Sequence, residues 1–206
     1  MILSMIPNKN SKLIPLYIAT CASFLPFNII IGSKFAWFSC SSMALPALGY
    51  HASLVYVILS VFTKGLLFSH ISLFYGIYRL PVVIATLALQ KRDWKTSVFL
   101  PLVAIILFCM HSIGCEVFYY SWYWFIPMII YYFVADTLVS RALSASFIAH
   151  AIGSVIWLYC KNIPVEAWIA LMPIVPIERV VIAAGMLSFV YIFQAISCFD
   201  NSKVSV

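Results

Sequence analysis

Ser146, His150 and Ser154 fall at i, i+4 and i+8, a spacing that puts two hydroxyls and an imidazole on one helix face. Trp157 follows three residues later, near the same face. Such a stripe suits the orientation of a small polar ligand or the passage of a proton, and equally a hydrogen bond to a neighbouring helix. A second group, His111, Glu116, Tyr119, Tyr120, Trp122 and Trp124, surrounds the turn between two apolar segments. One acid, one imidazole and several aromatic faces fit a flat, partly cationic heterocycle held by stacking and cation–π attraction. The same aromatics also fit the belt where hydrocarbon meets headgroups. The candidate substrate-contacting residues are therefore His150, Ser146, Ser154, Trp122, Trp124, Glu116 and His111. His150 is the orienting group, and Trp122 or Trp124 the stacking one. No catalytic residue, metal ligand or cofactor is assigned.

Enzyme signatures are missing: the chain has no H-E-x-x-H, no G-x-S-x-G, no phosphate-cradling glycine loop and no paired-aspartate motif. Without a phosphate loop it does not hydrolyse nucleotide by the usual means. Active movement of a solute would draw on an ion gradient or a partner. The six cysteines show neither C-x-x-C nor metal-type spacing, and in apolar segments they act as small hydrophobes.

The elements that must position these side chains are written in the composition. Twelve Lys and Arg and six Asp and Glu are all the charge in 206 residues, 65% of which are hydrophobic. The windows 13–33, 35–63, 96–115, 117–135, 142–160 and 180–199 carry no formal charge. Roughly 20 apolar residues span a hydrocarbon core in one helix. A soluble domain of this size does not cover so much apolar surface with so few charges. The segments are apolar all round rather than alternating, so helices are expected and a barrel is not.

The expected fold class is an all-α polytopic membrane bundle with six or seven transmembrane helices, in one integral-membrane domain over 1–206. Helices are expected near 13–31 (kinked at Pro26), 50–68, 71–90, 96–113, 120–136, 138–159 and 176–196. The range 32–49, rich in small and hydroxyl residues, is expected as a capping or re-entrant segment. The range 164–173 is too short to span and is expected as a re-entrant or interfacial half-helix. Ala145, Ala149 and Gly153 repeat every four residues beside the polar stripe, which lets a neighbouring helix approach closely.

The net charge of +6 is not a nucleic-acid signature, because the basic residues are scattered. The one dense group, Lys91-Arg92-Asp93-Trp94-Lys95, reads as a topology determinant or a contact to anionic lipid. Placed inside after three crossings, it puts the N-terminus outside. An inside N-terminus, suggested by Lys9 and Lys12, requires either that this cluster be outside or that 32–49 cross as well. Charges at membrane depth are costly, so Lys64, Arg79, Asp136, Arg141, Glu178 and Arg179 are further candidates, beside His70. Asp136 and Arg141 fall at a helix junction, and Glu178 suits the first turn of the last helix.

After the first helix comes Phe38-Ser39-Cys40-Ser41-Ser42-Met43-Ala44-Leu45-Pro46-Ala47-Leu48-Gly49, small and hydroxyl residues ahead of a proline and a glycine. With the size and helix count, this segment resembles the first loop of the substrate-binding S components of energy-coupling factor vitamin transporters. The resemblance implies a cavity near the outer face capped by 32–49, a coupling membrane subunit and two ATPase subunits as partners. It also implies the cytoplasmic membrane of a prokaryote as location. That family's docking helix carries alanines four apart, whereas Ala19 and Ala22 here are three apart. The leading expectation is thus a multi-pass membrane protein binding or transporting a small solute between its helices. One alternative is a membrane-embedded enzyme on a lipid or isoprenoid, with His111, Glu116 or His150 as acid–base groups. The other is a non-catalytic membrane scaffold.

Overall fold

The computed structural model describes residues 13–28, 37–67 and 73–203. They are almost entirely helical, as the apolar windows demand, with one short antiparallel pair of strands added. In chain order the elements are α1 (Leu13–Ala22), β1 (Pro26–Asn28), β2 (Trp37–Ser39), α2 (Ser41–His51), α3 (Leu54–Leu67) and α4 (Leu73–Gln90). A π-helical turn (Lys95–Phe99) then leads into α5 (Leu100–Met110), followed by α6 (Ser112–Glu116) and a 3-10 segment (Phe118–Phe125) that runs into α7 (Ile126–Phe133). The chain closes with α8 (Leu138–Cys160), α9 (Val165–Leu171) and α10 (Val175–Lys203).

The first expected helix is cut short. α1 stops at Ala22, the chain turns through Ser23 and Phe24, and Leu25 ahead of Pro26 does not continue the helix, as expected before a proline. Pro26 does not kink a helix. It opens β1, whose residues Pro26, Phe27 and Asn28 pair with Ser39, Phe38 and Trp37. Of the range 32–49, residues 32–36 lie outside the described residues, as do His70, Lys9 and Lys12. From Ser41 onward that range is a helix, buried on nearly every side: Ala44, Ala47 and Leu48 are each 0% exposed. Its small residues are what permits this. Gly49 faces Thr86 of α4 so closely that a Cβ there would overlap the Thr86 side chain, and Gln90 Nε2 donates to the Gly49 carbonyl at 2.6 Å.

Two hydrophobic clusters meet on α8. One joins α1, α2, α3, α4 and α10 through residues such as Ala44, Leu48, Val57, Leu89, Ala145, Ile148, Met186 and Phe193. The other joins α5, the 3-10 segment, α9 and the far side of α8 through Phe108, Tyr120, Trp124, Phe147, Ala151 and Trp168. α8 packs most extensively on α4, and Gly153 takes Pro81 at 3.6 Å from where a Cβ would stand. This is the close approach that the Ala145, Ala149, Gly153 spacing allows. α8 starts on a reciprocal cap: Thr137 Oγ1 accepts from the Ser140 amide at 3.1 Å, and Ser140 Oγ from the Thr137 amide at 2.9 Å.

The junctions are held by charge. Arg92 donates to the carbonyls of Ile130 (2.9 Å), Tyr131 and Val134 (2.6 Å), satisfying the open end of α7. Arg141 forks onto Asp136 at 2.7 and 2.8 Å and also donates to the Gln90 carbonyl at 3.1 Å, tying α8 to α4. The Arg141 fork holds the Asp136 carboxyl below its usual value of 3.8. A lowered folded value means the pair stabilises the fold fully above the unfolded carboxyl value and is lost as pH falls through the folded one. Because Asp136 is exposed, the contribution is at most about 1 kcal/mol. Thermal unfolding of wild type and Asp136→Asn should therefore differ at pH 6 and converge as the pH falls below the ordinary carboxyl value of 3.8 and through the lowered one; a gap that widens in acid contradicts the assignment.

Among the described residues, two helices are long and apolar enough to cross a membrane, Leu138–Cys160 and Val175–Phe199. Shorter apolar helices cover Leu13–Ala22, Leu54–Leu66, Gly76–Gln90 and Lys95–Met110.

Candidate functional site

His150 sits on the face of α8 that turns toward the 3-10 segment. Its ring centroid lies 5.5 Å from that of Tyr120 and 6.4 Å from that of Trp124. Tyr120 in turn meets Trp168 of α9 edge-on at 5.0 Å and Phe108 of α5 at 5.9 Å. Phe108 receives Trp124 and Trp168 edge-on at 5.1 and 5.4 Å. Five rings from four elements thus form one enclosed aromatic group, in which Phe108 and Trp124 are 0% exposed.

The local sequence explains the convergence. The run Phe118-Tyr119-Tyr120-Ser121-Trp122-Tyr123-Trp124 winds as a 3-10 helix, which has three residues per turn. Side chains at i and i+3 then nearly eclipse, so Ser121 and Trp124 go inward with Tyr120 while Trp122 goes outward. Ser121 Oγ donates to the Phe118 carbonyl at 2.7 Å, and the Tyr123 hydroxyl donates to the Met172 carbonyl at 3.0 Å, fastening the end of α9 against this segment.

Three nitrogens in this group are enclosed and make no hydrogen bond: Trp124 Nε1, Trp168 Nε1 and His150 Nε2. Burying a polar group without a partner costs about 1–3 kcal/mol, and such groups are rare in native interiors. Next to them lies the seam between the two hydrophobic clusters. There Glu178 and Arg179, buried at the start of α10, form an ion pair. Ser146 Oγ donates to the Arg179 carbonyl at 2.8 Å, and Arg179 Nη1 reaches the Ser146 carbonyl at 3.4 Å.

Of the residues singled out from the sequence, the structure brings together Ser146, His150, Ser154 and Trp124 along one inward face. Ser146 is engaged by the Arg179 backbone. The remaining three stand elsewhere. Trp122 is 62% exposed and meets Phe118, not His150. Glu116 is exposed at the end of α6. His111, between α5 and α6, packs edge-on against Tyr159 at 5.0 Å, with its Nδ1 enclosed and without a hydrogen bond. Among the described residues no hydrogen bond or ring contact joins His111, Glu116 and His150.

Reading the sequence missed Phe108 and Trp168, and treated Glu178 as a simple dipole partner. Trp168 carried one usable signal, a tryptophan in an apolar segment too short to span. Phe108 carried none among so many apolar neighbours. Among the described residues no three His, Cys, Asp or Glu side chains are grouped to hold a metal ion. No family model matches the chain, and no curated protein or solved structure is similar to it.

Proposed function

We propose that this chain is a multi-pass integral membrane protein, with six or seven crossings, that binds a small solute between its helices. Support for the membrane reading comes from α10. Its apolar window is only 28% buried inside the protein, whereas an apolar helix of that length in a soluble domain would be mostly covered. Val180, Tyr191 and Ile192 turn outward along it, and Met110 and Phe133 do so at the ends of α5 and α7, at 73% and 84% exposure. Lipid is the medium in which such faces cost nothing.

The binding reading rests on the enclosed, unpartnered nitrogens of Trp124, Trp168 and His150. In this reading aromatic walls stack a planar solute, the two indole N–H groups donate to its acceptors, and the imidazole fixes its orientation. Trp168 takes the role the sequence gave to Trp122. The likeness to S components of energy-coupling factor transporters extends the proposal to a coupling membrane subunit and ATPase subunits that would supply the energy, in a prokaryotic cytoplasmic membrane.

The test is a thermal-shift screen of planar carbonyl- and ring-nitrogen-bearing solutes against the protein in neutral detergent. A solute that raises the unfolding temperature of wild type should lose at least tenfold in apparent affinity in His150→Ala and in Trp168→Phe. The phenylalanine keeps an aromatic ring at this position while removing the N–H together with part of the indole. If Trp168→Phe and His150→Ala bind every hit as tightly as wild type, the site is misplaced. Release of the protein from membranes by alkaline carbonate would overturn the membrane reading.

A further inference from the structure

A few contacts sort the helix ends into two sets. Gln90, the last residue of α4, donates through Nε2 to the Gly49 carbonyl near the end of α2 at 2.6 Å. Arg141, at the start of α8, donates to the Gln90 carbonyl at 3.1 Å, and Arg92 donates to the last carbonyls of α7. Ser197 Oγ of α10 lies 2.8 Å from His51 Nε2 of α2. α1 and α3 run side by side in one direction, with Thr20 against Ser60 at 2.9 Å and the Ser23 carbonyl against Lys64. α1 therefore begins where α3 begins, which is beside the end of α2. From Ser39, which donates to the Ser23 carbonyl at 2.7 Å, α2 runs back to Gly49. The start of α1 and the basic group at 91–95 thus lie at the same end of the bundle, with the last turns of α10. The two orientation signals in the sequence agree.

Exposed charge divides the two ends unequally. At the end just described, Lys91 and Lys95 are exposed, and among the described residues neither ammonium has an ion pair. The acids beside them are engaged: Asp93 accepts from the Thr96 amide at 3.0 Å, and Asp136 takes the Arg141 fork. At the opposite end the exposed charges among the described residues are one base, Lys161, and two acids, Glu116 and Glu166. Exposed aromatics mark both ends. Trp94 stacks on Phe99 at 5.8 Å near Lys95, whereas Phe118, Trp122 and Tyr159 stand at the far end. Aromatic side chains gather at both membrane–water boundaries, so they place the two planes without telling them apart. Charge tells them apart, because cytoplasmic loops carry the excess of Lys and Arg and that leaflet carries the acidic lipid.

We infer that the end bearing Lys91 and Lys95 sits on the cytoplasmic leaflet, where the two ammonium groups bind the phosphate headgroups of acidic phospholipid. Trp94 and Phe99 enter the headgroup boundary beside them. The inference rests on the membrane reading above and not on the solute site around His150.

Thermal unfolding of the full chain is compared in bicelles of phosphatidylcholine alone and of phosphatidylcholine with phosphatidylglycerol. Wild type should gain several degrees from the acidic lipid, and the gain should shrink as salt rises. Lys91→Gln with Lys95→Gln should lose at least half of that gain while unfolding as wild type does in phosphatidylcholine alone. Lys91→Arg with Lys95→Arg, which keeps the charge, should retain it, and so should Lys161→Gln at the acidic end. Sidedness is read from an epitope tag placed after Val206, in bacterial spheroplasts that express the protein. Antibody should reach the tag only after permeabilisation. No gain from phosphatidylglycerol, a glutamine double variant that gains as much as wild type, or a tag reached in intact spheroplasts would overturn the inference. Retention of the protein in membranes through an alkaline carbonate wash separates these outcomes from failure of the membrane reading itself.

Discussion

Replacing Arg179 with alanine should cost about 3–5 kcal/mol of stability, the range for removing one partner of a buried ion pair. Glu178 and Arg179 are 4% and 6% exposed, so the surviving carboxylate has no water to turn to. The change also removes the guanidinium that reaches the Ser146 carbonyl, loosening the crossing of α10 on α8. The effect should be readable as a lowered midpoint of unfolding in mixed detergent–denaturant micelles. Removing both charges together, as Glu178→Gln with Arg179→Met, should recover most of the loss, because no uncompensated charge then remains. An Arg179→Ala protein within about 1 kcal/mol of wild type would mean that the pair is hydrated and that the seam between the two hydrophobic clusters is open to water.

Gly114→Ala is expected to be nearly as damaging, by about 3 kcal/mol, for a steric reason. A Cβ at this position would overlap the carbonyl oxygen of Phe108 and stand 2.9 Å from its carbonyl carbon and 3.0 Å from Leu158. The obstacle is backbone, which cannot swing aside as a side chain can. The turn from α5 into α6 would have to move, taking the Phe108 ring out of contact with Tyr120, Trp124 and Trp168. Solute binding should fall with stability in this variant. Gly76→Ala is the control: nothing lies within 4 Å of its missing Cβ, and alanine in the body of α4 should gain roughly 0.5–1 kcal/mol. Equal behaviour of the two variants would show that Phe108 is not seated against Gly114.

Periodicity served well where a helix has two unlike faces over many turns. The four-residue repeats of α8 located both its packing edge, where Gly153 meets Pro81, and its polar face, where His150 meets Tyr120. It served poorly between Phe24 and Gly49. There proline and small residues read as irregular chain, yet the same small residues let α2 be surrounded by α4 and α10 and become a buried helix. The aromatic cluster was visible as a composition, but its inward members were not, because a 3-10 winding advances side chains by 120° rather than 100° per residue. That difference sends Trp124 inward and leaves Trp122 outside.

The amino-acid sequence alone determined that the chain is helical, that apolar surface dominates it, and that Ser146, His150 and Ser154 share a face. Each of these follows from local spacing and composition, which act along a single element. The tertiary structure decided that Trp168 and Phe108 join the aromatic group of Tyr120, Trp124 and His150, and that Glu178 and Arg179 pair in the interior. Those outcomes join residues tens of positions apart, and only the packing of α5, α8, α9 and α10 brings such groups within reach of one another.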